Sequence, residues 1–189
     1  MIVLNVGGGA SRELPRQYKG WDQDLLDIDP AVKPDILCDA KDMRKITKKY
    51  DAVFCSHNLE HFYKHEVPQV LGGFVHVLKA DGFAHISVPN LNELMQHFVR
   101  SGLDIDDAVY ECGPNTSISY HDILYGWGKA MLDGNQYYAH KCGFTHKSLG
   151  KALSKAGFKK VLVAEDGLNL HAYAFKQNPT SAQKRQLGL

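Results

Sequence analysis

The chain has 189 residues, of which 44% are hydrophobic and 23% are charged, and its formal net charge at pH 7 is +1. This composition is typical of one globular domain with a substantial core, and it excludes a disordered or fibrous chain. No apolar stretch reaches the roughly 18 residues that a membrane span needs. The near-neutral charge provides no overall field to attract nucleic acid. We therefore expect neither a membrane nor a nucleic-acid partner.

The N-terminus and the cysteines bear on location. The opening residues MIVLNVGGGA lead directly into a glycine turn, without the basic flank or cleavage site of a secretory signal. Cys38, Cys55, Cys112 and Cys142 are widely spaced and form no metal-binding or redox motif. Both observations favour a reducing, cytoplasmic location.

The N-terminal half alternates short apolar runs with polar segments. The runs are Ile2–Val6, 25–28, 35–38 and 52–55. They predict buried strands of a parallel sheet that is covered on both faces. A helix is predicted from about Lys64, because apolar residues recur at three- and four-residue spacing from Val67 to Leu78. The turn Ala80-Asp81-Gly82 then leads into a strand over 83–88.

The C-terminal half contains two well-marked helices and a hairpin. Asn90 and Thr145 are predicted helix N-caps, with Gly102 and Gly157 as the corresponding stops. Runs 160–164 and 170–175 are joined through a glycine turn and predict an antiparallel hairpin. The expected fold is therefore α/β, a three-layer Rossmann-like sheet that is mostly parallel with an antiparallel C-terminal hairpin.

The domain organisation follows from this pattern. Residues 1–176 are expected to form a single domain, and 177–189 a loose tail. Residues 102–144 are rich in Gly, Tyr, His and Asp and form an insertion. Long connections of this kind usually cover a binding site.

Three sequence features point to a ligand site at the carboxyl ends of the strands. Gly7, Gly8 and Gly9 would let backbone N–H groups approach a ligand, and a helix starting after them would favour an anionic group. Asp27 ends the second strand, where a carboxylate can accept both hydroxyls of a ribose. Asp39 follows the third strand, within reach of an adenine amino group. Each of these acids is also a common turn or cap residue, so a purely structural role stays open.

The order of these motifs resembles that of the class I methyltransferases, which use S-adenosylmethionine, and in particular their short bacterial, methyltransferase type 11-like members. The resemblance covers about residues 1–176. It rests on the successive motifs LNVGGG, LDIDP, DILCDA, YDAVFCSHNLEH, FVHVLKADGFAHISVPN and AGFKKVLVAEDG. The sequence departs from the family at Asn5, which stands where an acid is usual, at Ser11, which replaces the last turn glycine, and at Ala80-Asp81, which replaces Pro-Gly.

The resemblance implies a set of S-adenosylmethionine-binding residues. They are Asn5, Gly7, Gly8, Gly9, Asp27, Ile28, Asp39, Ala40, Ser56 and His57. Gly7 and Gly9 would line the methionyl part of the cofactor, Asp27 would take the ribose hydroxyls, and Asp39 and Ala40 would lie near adenine. Ser56 and His57 would lie beside the sulfonium.

Histidines are the candidate catalytic residues. Methyl transfer needs a general base only when the acceptor must lose a proton, and His57 is the first candidate, with His121 of the insertion as the second. A turn histidine that transfers no proton is the alternative for His57. His57, His61 and His65 would align three imidazoles only on a continuous helix, which is not predicted here, so no metal site is expected.

The expected function is transfer of a methyl group to an oxygen or nitrogen of a small metabolite or sugar-like acceptor. The aromatic and histidine side chains of the insertion would cover that acceptor, or a second subunit of a homodimer would contribute to the cover. Three alternatives stay open: a non-catalytic domain that binds S-adenosylmethionine or S-adenosylhomocysteine, an NAD-binding Rossmann protein, and a nucleic-acid methyltransferase. Arg12 stands where the NAD fingerprint has a third glycine. Two basic groups, at 41–49 and 147–155, are the feature that would suit nucleic acid.

Overall fold

The computed structural model of this protein describes residues 1–113 and 116–189. The strands are β1 (Ile2–Val6), β2 (Asp22–Asp27), β3 (Ile36–Leu37), β4 (Tyr50–Ser56), β5 (Leu78–Pro89), β6 (Ala108–Glu111), β7 (Ser117–Ser119), β8 (Lys160–Asp166) and β9 (Asn169–Phe175). The α-helices are α1 (Val67–Val77), α2 (Leu91–Ser101), α3 (Tyr120–Tyr125), α4 (Gly128–Leu132), α5 (His146–Ala156) and α6 (Ser181–Leu187).

Seven of the strands form one sheet in the order β3-β2-β1-β4-β5-β9-β8. Strands β1 to β5 run parallel to one another, whereas β9 is antiparallel to both β5 and β8. This arrangement confirms the predicted mostly parallel α/β sheet with an antiparallel C-terminal hairpin. The chain reverses its strand order at β1, which has β2 on one side and β4 on the other.

The two faces of the sheet are covered unequally. Helices α1 and α5 pack together on one face and close a large aliphatic core that includes Val70, Leu71 and Leu153. The other face has a smaller cluster, in which Tyr18 of a short 3₁₀ helix and Leu187 of α6 contact the sheet. The second covering layer is therefore much thinner than the first.

The glycine turn is not followed by a helix, contrary to the prediction. The next helical segment is the three-residue 3₁₀ helix Arg16–Tyr18. Arg12 has a left-handed backbone (φ 52°) and is held there by Asp35 Oδ2 at 2.8 Å and Lys33 O at 2.7 Å. A left-handed residue and the following Pro15 are both incompatible with a continuing helix. The anion site expected from a helix N-terminus is consequently not formed at this turn.

The C-terminal segment also differs from the prediction of a loose tail over 177–189. Its residues 181–187 form α6, which Thr180 and Gln183 cap reciprocally. The Gln183 side chain donates to Asp81 O at 2.8 Å, and Leu187 is 9% exposed. The tail is helical because Leu187, near its end, packs on the thinly covered face of the sheet, and such packing stabilises a short helix.

Other boundaries agree with the sequence pattern, with two changes. Asn90 and Thr145 cap α2 and α5 as predicted. The expected turn Ala80-Asp81-Gly82 lies instead within β5, where the pairing with β4 is irregular. Tyr50 pairs with Leu78 but Ala52 pairs with Phe83, so β5 has extra residues between these two pairs. The predicted first helix begins at Val67 rather than at Lys64.

The insertion has a fold of its own. Strands β6 and β7 pair antiparallel, and α3 follows with a reciprocal cap between Ser119 and Asp122. Tyr120 is 1% exposed and packs with Leu94 and Ile123 in a third apolar cluster. No helix in the described part of the chain has the length and apolar character needed to cross a bilayer.

Candidate active site

The glycine turn lies at the end of β1, at the point where the strand order reverses. Ligands of open α/β sheets bind at such a point. Gly7 and Gly9 have positive φ angles of 70° and 60°, which favour glycine. A Cβ atom at Gly9 would meet no atom within 4 Å, so this residue borders open space.

Asp27 connects the ends of β1 and β2. Its Oδ2 accepts the Gly9 N–H at 3.3 Å, and its Oδ1 accepts the Asp29 N–H at 3.0 Å. A carboxylate has about four acceptor sites, so these two bonds leave capacity for further donors. The Asp27 side chain thus fixes the turn and still presents acceptors to a ligand.

A cavity of about 230 Å³, here called the inner cavity, opens beside this turn. It is lined by five of the predicted residues, namely Gly7, Asp27, Ile28, Asp39 and Ala40. Asp39 also caps the 3₁₀ helix Ala40–Lys45 by accepting the Lys41 N–H at 2.9 Å. Asp39 is therefore both the cap of this helix and a wall residue of the inner cavity.

Three of the predicted residues do not line the cavities of this edge. Asn5 is fully buried behind the turn, where its Nδ2 donates to Gln23 Oε1 at 3.0 Å and lies 2.3 Å from the place of a Cβ on Gly8. Gly8 does not line these cavities either, because it faces the buried side chain of Asn5. Ser56 pairs with Ser87 inside the sheet, one residue short of the edge.

Several wall residues were missed in the sequence. Asn58 lies so close to Gly7 that a Cβ there would be 2.1 Å from its Nδ2. The Asn58 Oδ1 is buried and has no hydrogen-bond partner in the described part of the chain. The other side chains that line the inner cavity include Lys41, His61, Phe62, Glu66, Tyr137 and Lys141. An Asn two residues after a strand was a signal for Asn58, whereas only the path of the insertion brings Tyr137 here.

Two further cavities continue from the inner one along the sheet edge. The bridging cavity, of about 110 Å³, is bordered by Gly9, Asp27 and His57. The aromatic cavity, of about 210 Å³, lies under the insertion. Its walls are His57, His61, Pro89, Tyr110, Ile118, Asp122, Ile123, Trp127, Tyr138, His140, Leu168 and Asn169. His57, His61 and Tyr138 line both the bridging and the aromatic cavity, so they stand at the junction of the two.

His57 is held in an unusual backbone conformation at this junction. Its φ is 47°, a left-handed value that costs about 1 kcal/mol for a residue with a side chain. Its N–H donates to Ser87 O at 2.9 Å, and its carbonyl lies 3.1 Å from His61 Nε2. Strain of this kind is often found at functional sites. The imidazole is half exposed and lies 3.3 Å from the carboxylate of Glu60, which is 1% exposed.

His121, the second catalytic candidate, does not reach these cavities. Its side chain is exposed and lies against the Tyr125 ring, with the centroids 4.9 Å apart. Successive residues of a helix point about 100° apart, and it is Asp122, the next residue, that lines the aromatic cavity. The structure thus places the His121 side chain away from these cavities, and its catalytic role stays a prediction.

Burial sets the charge of His140 in the aromatic cavity, and hydrogen bonds set that of Asp122. Burial lowers the pKa of His140 from its usual value, although the Glu60 carboxylate acts in the opposite direction. Burial alone would raise the pKa of Asp122, but hydrogen bonds from the Gly128 and Ser119 N–H groups lower it. The cavity thus contains a neutral imidazole and an ionised carboxylate near neutral pH.

The histidines His57, His61 and His65 do not lie on one helix. A 3₁₀ helix contains His61, and α1 begins only at Val67. Both ring nitrogens of His61 lie 3.1 Å from backbone carbonyl oxygens, those of Ala139 and His57. Within residues 1–113 and 116–189, no cluster of three His, Cys, Asp or Glu side chains is arranged to hold a metal ion.

Comparisons with known proteins show relatives by fold only. No model of a protein family matches the sequence, and a search of the curated proteins finds no match. Solved structures do match. A SAM-dependent methyltransferase from Archaeoglobus fulgidus is 15% identical with a TM-score of 0.59, over 93% of this chain and 86% of that one. The 1,6-didemethyltoxoflavin-N1-methyltransferase of Burkholderia thailandensis, solved with S-adenosylhomocysteine, is 18% identical with a TM-score of 0.55, over 94% and 71%.

An O-methyltransferase family protein from Burkholderia thailandensis gives a TM-score of 0.57 at 14% identity. The match covers 93% of this chain but only 51% of that protein, so this chain spans about half its length. The matched structures and the sheet order assign this chain the fold of the class I methyltransferases.

Proposed function

We propose that this protein is a methyltransferase that binds S-adenosylmethionine at the glycine turn and methylates an oxygen or nitrogen of a small acceptor in the aromatic cavity. The observation on which this rests most is the continuity of the site. The inner, bridging and aromatic cavities adjoin one another through shared walls, with His57 and Tyr138 at the last junction. A cofactor and an acceptor in neighbouring cavities meet at one place, as group transfer requires.

The residues of the inner cavity fit the parts of this cofactor. Asp27 has free acceptor sites for the ribose hydroxyls. Ile28 and Ala40 present apolar surface to an adenine ring, and the carboxylate of Asp39 can accept from its amino group. The unpartnered Oδ1 of Asn58 is a buried acceptor that a donor of the cofactor would satisfy.

S-adenosylmethionine, when bound, supplies a methyl group already activated by its positive sulfur. The protein has then mainly to position the acceptor and exclude water. Trp127, Tyr110 and Tyr138 give the aromatic cavity flat apolar walls with polar tips, which suit a small organic ring or sugar. His57 lies where a proton leaving the acceptor could be taken up.

The alternatives draw less support. Three of the solved structures with this fold contain bound S-adenosylhomocysteine, whereas an NAD-binding doubly wound sheet lacks the antiparallel β9 and β8. Much of the basic group at 41–49 is neutralised, since Lys41, Lys45 and Lys48 pair with carboxylates. A binding domain without catalysis would keep the inner cavity but would need no aromatic cavity beyond it.

Calorimetry of the purified protein tests the cofactor assignment. S-adenosylmethionine and S-adenosylhomocysteine should each bind with one-to-one stoichiometry and raise the melting temperature, as any ligand of the folded state must. NAD serves as the matched dinucleotide control and should bind far more weakly. Tighter binding of NAD would replace this proposal with that of a dehydrogenase. Methyl transfer is then sought by mass spectrometry in a pool of metabolites.

A further inference from the structure

The carboxyl group of Glu60 lies in an environment that its structural role does not explain. Glu60 is 1% exposed, and neither of its carboxyl oxygens accepts a hydrogen bond within residues 1–113 and 116–189. Leaving such a group without a donor costs several kcal/mol. Its backbone carbonyl, in contrast, is fully used, because it accepts from Lys141 N at 2.8 Å and Cys142 N at 3.2 Å.

The groups around this carboxylate leave one candidate donor. In the described part of the chain no Lys or Arg nitrogen lies within 4.0 Å of it, and His57 Nδ1 lies at 3.3 Å. The buried thiol of Cys55 and the partly exposed thiol of Cys142 also face it, and burial and the Glu60 charge together raise the pKa of both. His140 faces it as well but its Nδ1 is engaged with Ile123 O at 2.9 Å. The thiols are weak donors, so the imidazole of His57 is the natural partner.

We infer that Glu60 is a positioning residue that holds His57 with its proton on Nδ1 and thereby leaves Nε2 free to accept a proton from the methyl acceptor. The Nε2 atom lies on the ring edge opposite Nδ1, and the half-exposed ring lines the bridging and aromatic cavities. A buried carboxylate that orients an imidazole in this way fixes its tautomer and stabilises the imidazolium that forms.

This inference rests on the proposed function and narrows its acceptor class. The acceptor would carry a hydroxyl or an N–H group. As the new oxygen–carbon or nitrogen–carbon bond forms and the carbon–sulfur bond breaks, the acceptor's proton passes to His57 Nε2 and the positive charge of the sulfonium ends on the imidazole. A thioether or tertiary amine acceptor has no such proton and would make the pair unnecessary.

The backbone of the turn supports this role. His57 takes its left-handed conformation at the end of β4, and Glu60 follows three residues later in the 3₁₀ helix Leu59–His61. His61 fastens the turn from the other side through the His57 carbonyl. The strained conformation of His57 is therefore the one that brings its ring to Glu60.

Nuclear magnetic resonance of histidine-labelled protein tests the inference without any ligand. Two-bond nitrogen–proton spectra show which ring nitrogen carries the proton, and the His57 signals are identified by their loss in His57→Gln. We expect the Nδ1-protonated form at His57 in the wild type. In Glu60→Met, which has similar volume and no acceptor, the ratio of the two forms should change by about tenfold or more. Glu66→Met, which removes the carboxylate that pairs with Lys41 at 2.8 Å, should leave the His57 signals unchanged.

A wild-type His57 that is protonated on Nε2, or a ratio that Glu60→Met does not alter, would overturn the inference whether or not the cofactor binds. The wild-type spectrum is decisive even if Glu60→Met fails to fold. Calorimetry with S-adenosylmethionine on the same samples separates the two claims: binding without the Nδ1-protonated form leaves the proposed function standing and removes only the pair, whereas an Nδ1-protonated His57 without binding removes the proposed function and with it the catalytic meaning of the pair.

Discussion

The side chain of Asn58 fills the space in which Gly7 would carry a Cβ atom, which would lie 2.1 Å from Asn58 Nδ2. Gly7 also has a φ of 70°. The glycine is thus required twice, by its backbone and by the asparagine across the turn. The two residues together form the corner between the inner and bridging cavities.

Gly7→Ala should therefore weaken binding of S-adenosylhomocysteine by about tenfold or more, because Asn58 must move out of the cavity wall. Gly20→Ala is the matched control. Gly20 has a φ of 82°, but a Cβ there would meet nothing within 4 Å. Gly20→Ala should lose about 1 kcal/mol of stability in urea unfolding, and Gly7→Ala should lose more because its Cβ also meets Asn58. Only Gly7→Ala should lose affinity in calorimetry. Equal affinities in the two variants would refute the role given to the corner.

Asp27→Ala should weaken binding of the same ligand by about 1.5 to 3 kcal/mol, the range for hydrogen bonds to a charged acceptor. Asp22→Ala changes an exposed carboxylate at the start of the same strand and should have no effect. Circular dichroism should be unchanged in both. If Asp27→Ala binds as the wild type does, Asp27 serves only to shape the turn with Gly9 and Asp29.

Two aromatic residues of the insertion should separate cofactor from acceptor. Tyr137 lines the inner and bridging cavities, whereas Trp127 lines only the aromatic cavity. Tyr137→Ala should weaken S-adenosylhomocysteine binding by roughly three- to tenfold through lost apolar contact. Trp127→Ala should leave that affinity unchanged and reduce methylation of any acceptor found in the metabolite pool. The reverse pattern would mean that the order of the two cavities is wrong.

Stability should fall in mild acid because of His85. Burial, with a smaller effect of His171, lowers the pKa of His85 to about 4. The unfolded chain binds a proton at this residue near pH 6.5 while the folded chain does not, so stability is lost as the pH falls from about 6.5 toward 4. Between pH 7.5 and pH 5 the loss attributable to His85 is about 2 kcal/mol.

His85→Phe should remove most of that pH-dependent loss, because the ring would still stack on Tyr173, 4.4 Å away between centroids. The measurement is the free energy of unfolding in urea at the two pH values. His146→Phe, at an exposed histidine of α5, is the control and should keep the wild-type slope. A His85→Phe protein with the wild-type slope would assign the effect to other groups.

The C-terminal helix should contribute measurably to stability. Leu187 is 9% exposed and Leu189 is 46% exposed. Leu187→Ala should cost about 2 kcal/mol, at the low end for buried leucines because the helix can relax. Leu189→Ala should cost less than about 0.5 kcal/mol. Thermal and urea unfolding of the two variants decide whether α6 belongs to the folded domain. Equal stabilities would mean that α6 contributes nothing to the stability of the domain.

The sequence predicted what depends on hydrophobic periodicity. The strands of the main sheet and the capped helices α2 and α5 follow from local patterns of burial and capping. Residues such as Asp27 and Gly7 were found because strand ends in a parallel sheet share one edge.

What the sequence could not predict depends on contacts between distant segments. Arg12 is left-handed because Asp35 and Lys33 hold it from the connection before β3, and this removes the helix expected after the glycine turn. His121 and Asp122 differ by one residue, which is below the precision with which a short helix can be oriented from sequence. The burial of Glu60 is likewise visible only once the insertion has returned to cover it.

Helix α2 and the insertion together leave and re-enter the sheet at the same point. Asn90 and Phe144 form a parallel bridge, and Leu91 N donates to Phe144 O at 2.9 Å. A segment whose two ends already touch can be lengthened, shortened or exchanged at little entropic cost to the rest of the chain. The segment that covers the aromatic cavity could thus be replaced in evolution while the sheet and the glycine turn stay unchanged. A new substrate would then require exchange of this one segment and no change in the rest of the domain.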